Sequence, residues 1–339
     1  MKENKLITNN GQPRFGVFPE GISNVNYLDY DLRNNMDRKL SWLSKKMKHN
    51  QFQFISLTSP DLIIGIAIVD LKIVSNCFVY AFQPSTKKFE EFSFLQPLAI
   101  KTHMSSRPNN GESSFYKGKN SVVIKATETP HLRTVTVDIE NSFKVEAIID
   151  ESTNYNPLAI STRAGYAGWV FTQKAAALIC NGSVTWGAEQ FDLEKINALA
   201  SVDWTSGYMR RETFWNWGSL SYTLPDGRRL GFNLAAGVNE TGFTENRVWL
   251  DGEIYEVDMV DFQFDRYHPN HAWALRSKDG TIDLHFEPAG QRKEKMNFFI
   301  AASNFTQHFG KFYGNIIINE EVIHVDGEWG FAEDHYAKW

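Results

Sequence analysis

Short apolar runs, broken at close intervals by polar and turn residues, set the character of this chain. "FQFISLTS", "LIIGIAIVDL", "CFVYAF", "SVVIKATE", "RTVTVDIE" and "FKVEAIID" are brief and rich in β-branched and aromatic residues. That pattern predicts strands. In "RTVTVDIE", Val135, Val137 and Ile139 fall on one face, as in a half-buried antiparallel strand. "LIIGIAIV" (62–69) is apolar throughout and predicts a buried strand. The second half carries clearer hairpin signals: Asp226-Gly227, Asp251-Gly252 and Asp279-Gly280 each separate two strand-like runs. Asp-Gly supplies the positive φ angles of tight hairpin turns, so an antiparallel meander is expected there.

Helical periodicity is scarce. Met36, Leu40, Leu43 and Met47 are spaced at helical intervals with lysines between them, which predicts a helix near 35–49. "DLEKINALAS" predicts a short helix capped by Asp192. No βαβ alternation, glycine-rich phosphate loop or heptad appears. The fold class is therefore mainly β. Two packed antiparallel barrels or sandwiches account for two long strand series better than one open sheet does, because closure removes unpaired edges. The stretch around 205 interrupts the meander, dividing the chain into lobes 1–204 and 205–339. No Gly/Ser- or Pro-rich linker separates them, so packed lobes are expected.

Composition changes this picture in a few places. A length of 339 residues suits two domains. Nine of the ten tryptophans lie at or beyond Trp169, so any indole-lined site belongs to the later half. The formal net charge of −5 offers no basic footprint for nucleic acid. The longest apolar run is far too short to span a bilayer as a helix, so no stable membrane insertion is expected. The opening residues lack the apolar segment of a signal peptide, which points to a cytoplasmic protein. Cys77 and Cys180 sit far apart in apolar surroundings and are expected as free thiols. No metal is expected: His268 and His271 flank Pro269 in a predicted turn, with no third ligand nearby in sequence. No cofactor motif is present either.

Three clusters could carry chemistry. "SVDWTSGYMRRETFWNWG" gathers Asp203, Trp204, Arg210, Arg211, Trp215 and Trp217. It reads as a pocket wall, with indole faces against an apolar ligand and an arginine on a polar end, or as an inward aromatic stripe of a barrel core. "GFNLAAGVNETGFTENRVWLDG" crowds Asn233, Asn239, Glu240, Glu245 and Asn246 between two strands, as recognition loops or ordinary solvated turns do. The tail "GFAEDHYAKW" puts Glu333 and His335 on one face of a strand and Asp334 and Tyr336 on the other. It reads as a closing strand anchored by Trp329 and Trp339, with Glu333 and His335 as further acid–base candidates.

Those blocks, with "DGTIDLHFEP" and "SNFTQHFGKFYGNI", resemble the family known as domain of unknown function 2804 over most of the chain, most closely from about residue 155 onward. At the level of fold the chain is similar to two-lobed lipocalin-like proteins, a group with carotenoid hydratases, related cyclases and ceramide-handling survival factors. Where their first lobe closes, those proteins tend to carry a Trp-Asp-His motif. Here Asp203 and Trp204 stand in reversed order and the His is missing. The resemblance implies lipocalin-like lobes around an apolar small molecule.

The resulting expectation is a lipid- or isoprenoid-like ligand in a Trp-lined β-barrel cavity. Trp204, Trp215 and Trp217 would form its wall, Arg210 or Arg211 would hold a polar end, and Asp203 or Glu245 would act as acid or base. Isomerase, hydratase or cyclase chemistry needs only such groups in a dry cavity. A non-catalytic lipid carrier and a carbohydrate-binding or sugar-processing β protein stand as alternatives.

Overall fold

Alternation decides where each side chain of this protein goes. In the computed structural model, which describes residues 3–153, 155–238, 242–297 and 302–338, nearly every regular element is a β-strand, and the strands form two antiparallel sheets curled into a barrel and a half-barrel. Asn239, Glu240 and Trp339 lie outside the described residues.

The six runs read as strands in the first half fall in Asn50–Thr58, Ile63–Asp70, Val74–Gln83, Asn120–Glu128, His131–Ile139 and Phe143–Asp150. With eight further strands they make a 14-stranded sheet. Its backbone is the 19-residue strand Gly168–Trp186, which pairs with Leu199–Tyr208 along its first part and with Phe143–Asp150 along its last. A bulge between Ala175 and Leu178 reverses which side chains face inward. The sheet ends with Tyr208, and a nine-stranded sheet begins at Glu212. In that second sheet the last strand, Glu321–Lys338, is central, between Glu212–Thr223 and Ala302–Ile318. The three Asp-Gly pairs form the expected turns, with Asp251 and Gly252 at φ 49° and 87°.

Each sheet buries one face in its own core, and part of its other face turns toward the partner sheet while the rest is solvated. Ile64, Ile66, Ile68, Cys77, Val79 and Ala81 fill the barrel, while Ile63, Ala67, Phe78, Tyr80 and Phe82 on the same strands point at the second sheet. That explains "LIIGIAIV": this strand has no solvated face. In the second lobe Leu220, Phe232, Phe286 and Phe312 form the core, and Trp217, Phe309 and Phe331 project toward the first sheet. The bulge adds a polar link, for Ala177 N donates to Ser221 Oγ at 2.9 Å, and Ser201 and Ser221 hydroxyls meet at 2.8 Å. A third cluster lies where the N-terminal segment, with Leu6, Phe18, Ile22 and Leu32, packs on Trp169, Phe171 and Trp204.

Two helical expectations fail in detail. The helix spans only Trp42–Lys48, capped by Ser41, and Leu43 stays 61% exposed, so the apolar spacing from Met36 onward buries little. "DLEKINALAS" forms turns after the strand Glu189–Asp192. Asp192 still accepts from the Lys195 N–H at 3.2 Å, but its side chain closes a turn rather than a helix. Cys77 and Cys180 are free and buried. Among the described residues no helix is long and apolar enough to cross a membrane.

Candidate functional site

The interiors of both lobes are packed with side chains. A cavity of about 210 Å³ lies between the sheets, where a space inside one barrel was expected. One water needs roughly 10–15 Å³ of such space, so the cavity could hold a far larger molecule. Phe52, Phe54, Ala67 and Phe78 line it from the barrel, and Trp215, Trp217 and Phe305 from the second sheet.

Register builds the polar part of this wall. On the second sheet, Phe305, His335 and Trp215 form one cross-strand row, and Gln307, Glu333 and Trp217 form the next. Because strand side chains alternate, Glu333 and His335 of the tail face the cavity together. Asp334 turns away, where Arg266 holds its carboxylate at 2.5 and 2.9 Å. The tail is therefore the middle of a sheet and a wall of the cavity at once.

Glu333 is 6% exposed. Its Oε1 accepts from the Trp215 indole N–H at 2.7 Å and its Oε2 from Gln307 Nε2 at 2.8 Å. The Tyr80 hydroxyl in turn donates to Gln307 Oε1, so a chain of hydrogen bonds from the barrel fixes the carboxyl. Burial pushes Glu333 up to about 7 against the opposing effect of its two donors. His335 lies beside it, with Nδ1 3.8 Å from Glu333 Oε1 and Nε2 3.1 Å from Ser303 Oγ. Burial, with help from the Arg292 charge, lowers His335 to about 3, and its Nδ1 is buried without a hydrogen-bond partner. The imidazole is thus neutral, flanked by the rings of Trp215 and Phe305 at 4.2 and 4.9 Å.

An ion cluster joins the barrel to the second lobe. Lys174 and Asp203 are opposed across paired strands, and Lys174 Nζ lies 3.0 Å from Asp203 Oδ2 and 3.4 Å from Glu245 Oε2. Burial alone would lower Lys174, but the two carboxylates more than reverse this and hold its charge. Burial raises Glu245. At the far side Arg292 is buried over the Phe78 ring, 3.8 Å from its centroid, and bonds Glu91 at 2.9 Å and Glu294 at 2.8 Å.

Of the residues singled out in the sequence, Asp203, Arg210, Trp215, Trp217, Glu245, Glu333 and His335 come together around this cavity. The others lie elsewhere. Trp204 follows Asp203 on the strand and so points to the opposite face, packed with Phe171 under the N-terminal segment. Arg211 is exposed at the turn between the sheets. Asn233 supports the wall from behind, accepting from the Trp217 indole at 2.7 Å and donating to the Glu245 carbonyl at 2.9 Å. Asn246 ties its own loop, accepting from Ala235 N and donating to Asp258 O. The sequence reading missed Lys174, Gln307, Ser303 and Arg292. Lys174 left a signal, a lone cation in "GWVFTQKAAALIC". His268 and His271 do have a third group near them, Asp265, with ligand atoms within 4.8 Å of one another in an exposed turn.

Several solved structures resemble this one, two of them as follows. Kievitone hydratase from Nectria haematococca superposes with a TM-score of 0.52 at 13% identity, over 86% of this chain and 89% of that one. CghA, solved with Sch210972, superposes with a TM-score of 0.54 at 10% identity, over 99% and 97% of the two chains. At such identities the likeness is one of fold. No curated protein matches the chain by sequence. The family model described as Domain of unknown function (DUF2804) matches residues 1–339, and the chain belongs to that family.

Proposed function

We propose that this protein binds an apolar small molecule between its two sheets and catalyses a proton-transfer reaction on it, such as isomerisation, hydration or cyclisation of an unsaturated ligand. One observation carries this reading: a buried carboxyl, Glu333, beside a neutral imidazole on the wall of an aromatic-lined cavity. A carboxyl poised near neutral pH can both give up and regain a proton there. Glu333 would donate its proton to the ligand as charge develops and take one back when the product forms. His335 would receive a ligand oxygen at Nδ1. Asp203 and Glu245 are occupied by Lys174, which supports a structural part for them and leaves the proton to Glu333.

A simple carrier has no need of a carboxyl buried at such a place, where desolvation disfavours its charge. A sugar site would call for flat, exposed indoles, whereas Trp217 is 7% exposed. The two solved neighbours, one of them a hydratase by name, are compatible with the reading through fold alone.

Organic extraction of the purified protein followed by mass spectrometry should recover an apolar compound. Trp215→Ala should retain less of it. Glu333→Gln should retain it while slowing its conversion by about 10²-fold or more, the usual weight of a general acid. Conversion at the wild-type rate by Glu333→Gln would remove Glu333 from the chemistry.

A further inference from the structure

The charged groups around the cavity restrict what it can hold, provided that the cavity is the ligand site as proposed. Four cations line it among the described residues: Lys174, Arg210, Arg292 and Lys338. Lys174 is shared between Asp203 and Glu245. Arg292 is closed off more completely, by Glu91 and Glu294 on its nitrogens and by the Phe78 and Phe305 rings at 3.8 and 5.0 Å. Lys338 pairs with Glu212 at 3.6 Å, and Arg210 is engaged as well. Both deeply buried cations thus already face two carboxylates each. An incoming carboxylate or phosphate would lose its water and meet like charge, a combination that binding sites for anions avoid by offering a cation or a row of N–H donors.

For a neutral group the wall offers partners instead. His335 Nδ1 is buried and has no hydrogen-bond partner, and the Glu333 carboxyl stands 3.8 Å from it. That gap is too long for a direct hydrogen bond, and both groups line the cavity, so one ligand oxygen could contact the two together. The tight pairing of the buried cations and this unpartnered nitrogen are separate observations, and they agree.

We infer that the ligand of this cavity is an uncharged molecule, an apolar skeleton bearing a hydroxyl or carbonyl oxygen that is received between Glu333 and His335, and not a fatty acid, a phosphate or a diphosphate ester.

Three probes with one skeleton separate the classes: farnesol, farnesoic acid and farnesyl phosphate, titrated at pH 8 against the protein's intrinsic tryptophan fluorescence, to which the cavity residues Trp215 and Trp217 contribute. Farnesol should bind at least ten-fold more tightly than either charged probe. Glu294→Gln removes one of the two carboxylates on Arg292 and should raise farnesoate affinity at least three-fold, with a smaller change for farnesol. Asp203→Asn should do the same through Lys174, which keeps the test in force if one variant does not fold. Tighter binding of the acid or the phosphate by the wild type would overturn the inference and leave the cavity reading standing. Failure of all three probes to bind, with no compound recovered by extraction, would remove the cavity reading and this inference together.

Discussion

Glu333 concentrates the conflict on which the site is built. Two donors favour its ionised form, burial favours the neutral one, and burial wins. This has a consequence for stability. In the unfolded chain Glu333 ionises near its ordinary value of 4.5, and in the folded protein near 7. Between those values the folded state holds a proton that the unfolded state has released, so stability falls as pH rises through the window. The effect is at most roughly 3 kcal/mol. Glu333→Gln should therefore gain on the wild type by up to that amount between pH 4.5 and above 7, read from urea unfolding at pH 5 and pH 8. A constant difference between the two proteins would mean that Glu333 ionises as it does in water. His335 acts in the opposite direction, since its lowered value makes stability fall as pH drops from 6.5 toward 3. It does so in both proteins and drops out of the comparison. At this scale the sequence put the group forward as a candidate but could not weigh it, because the value depends on desolvation by residues remote in the chain.

At the scale of the element, the strand Ile63–Asp70 shows how a position with no side chain sets the site. A Cβ at Gly65 would meet the Tyr80 ring at 2.3 to 2.5 Å. Tyr80 lies on the neighbouring strand and supplies the hydroxyl that holds Gln307, which in turn holds Glu333. Gly65→Ala should displace that ring, costing about 1–3 kcal/mol as an overpacked core does. It should also weaken ligand retention, whereas Ile66→Val on the same strand, inside the barrel core, should affect stability more than retention. Chemical denaturation and the extraction assay separate the two effects. The strand itself was legible from its apolar run. The reason for its glycine was not, since Tyr80 becomes its neighbour only through pairing. The helix expected near 35–49 is cut to Trp42–Lys48 for a related reason: a helical stripe needs a surface to bury against, and the chain offers none to Met36 or Leu43.

For the whole molecule, the cavity exists because two sheets meet through aromatic faces that do not fill the space between them. Phe54 lies edge-on to both Trp217 and Phe331, at 5.9 and 6.3 Å, and Phe82 lies tilted against Phe309 at 4.4 Å. These contacts fasten the lobes along one side of the cavity. Phe331→Ala should lower stability by about 3–5 kcal/mol and enlarge the cavity. Increased binding of a fluorescent apolar dye alongside the loss in urea unfolding would confirm that Phe331 belongs to the joint between the sheets. Unchanged dye binding would place its contribution within the second lobe alone.

The sequence by itself determined the strands, their hairpins and which side of each strand is apolar, because alternation and Asp-Gly turns are local properties carried by neighbouring residues. It also determined that Glu333 and His335 share a face while Asp334 does not, since a strand leaves no other option without a bulge. Only the tertiary structure decided that Trp204's face of its strand meets the N-terminal segment and Asp203's face the cavity, that Lys174 joins Asp203 and Glu245, and that the open space lies between lobes and not within one. Those outcomes depend on strand order, on the bulge near Ala176 and on the packing of one sheet against another. They bring together residues as distant as Tyr80 and Glu333, and no pattern within a single segment specifies such a meeting.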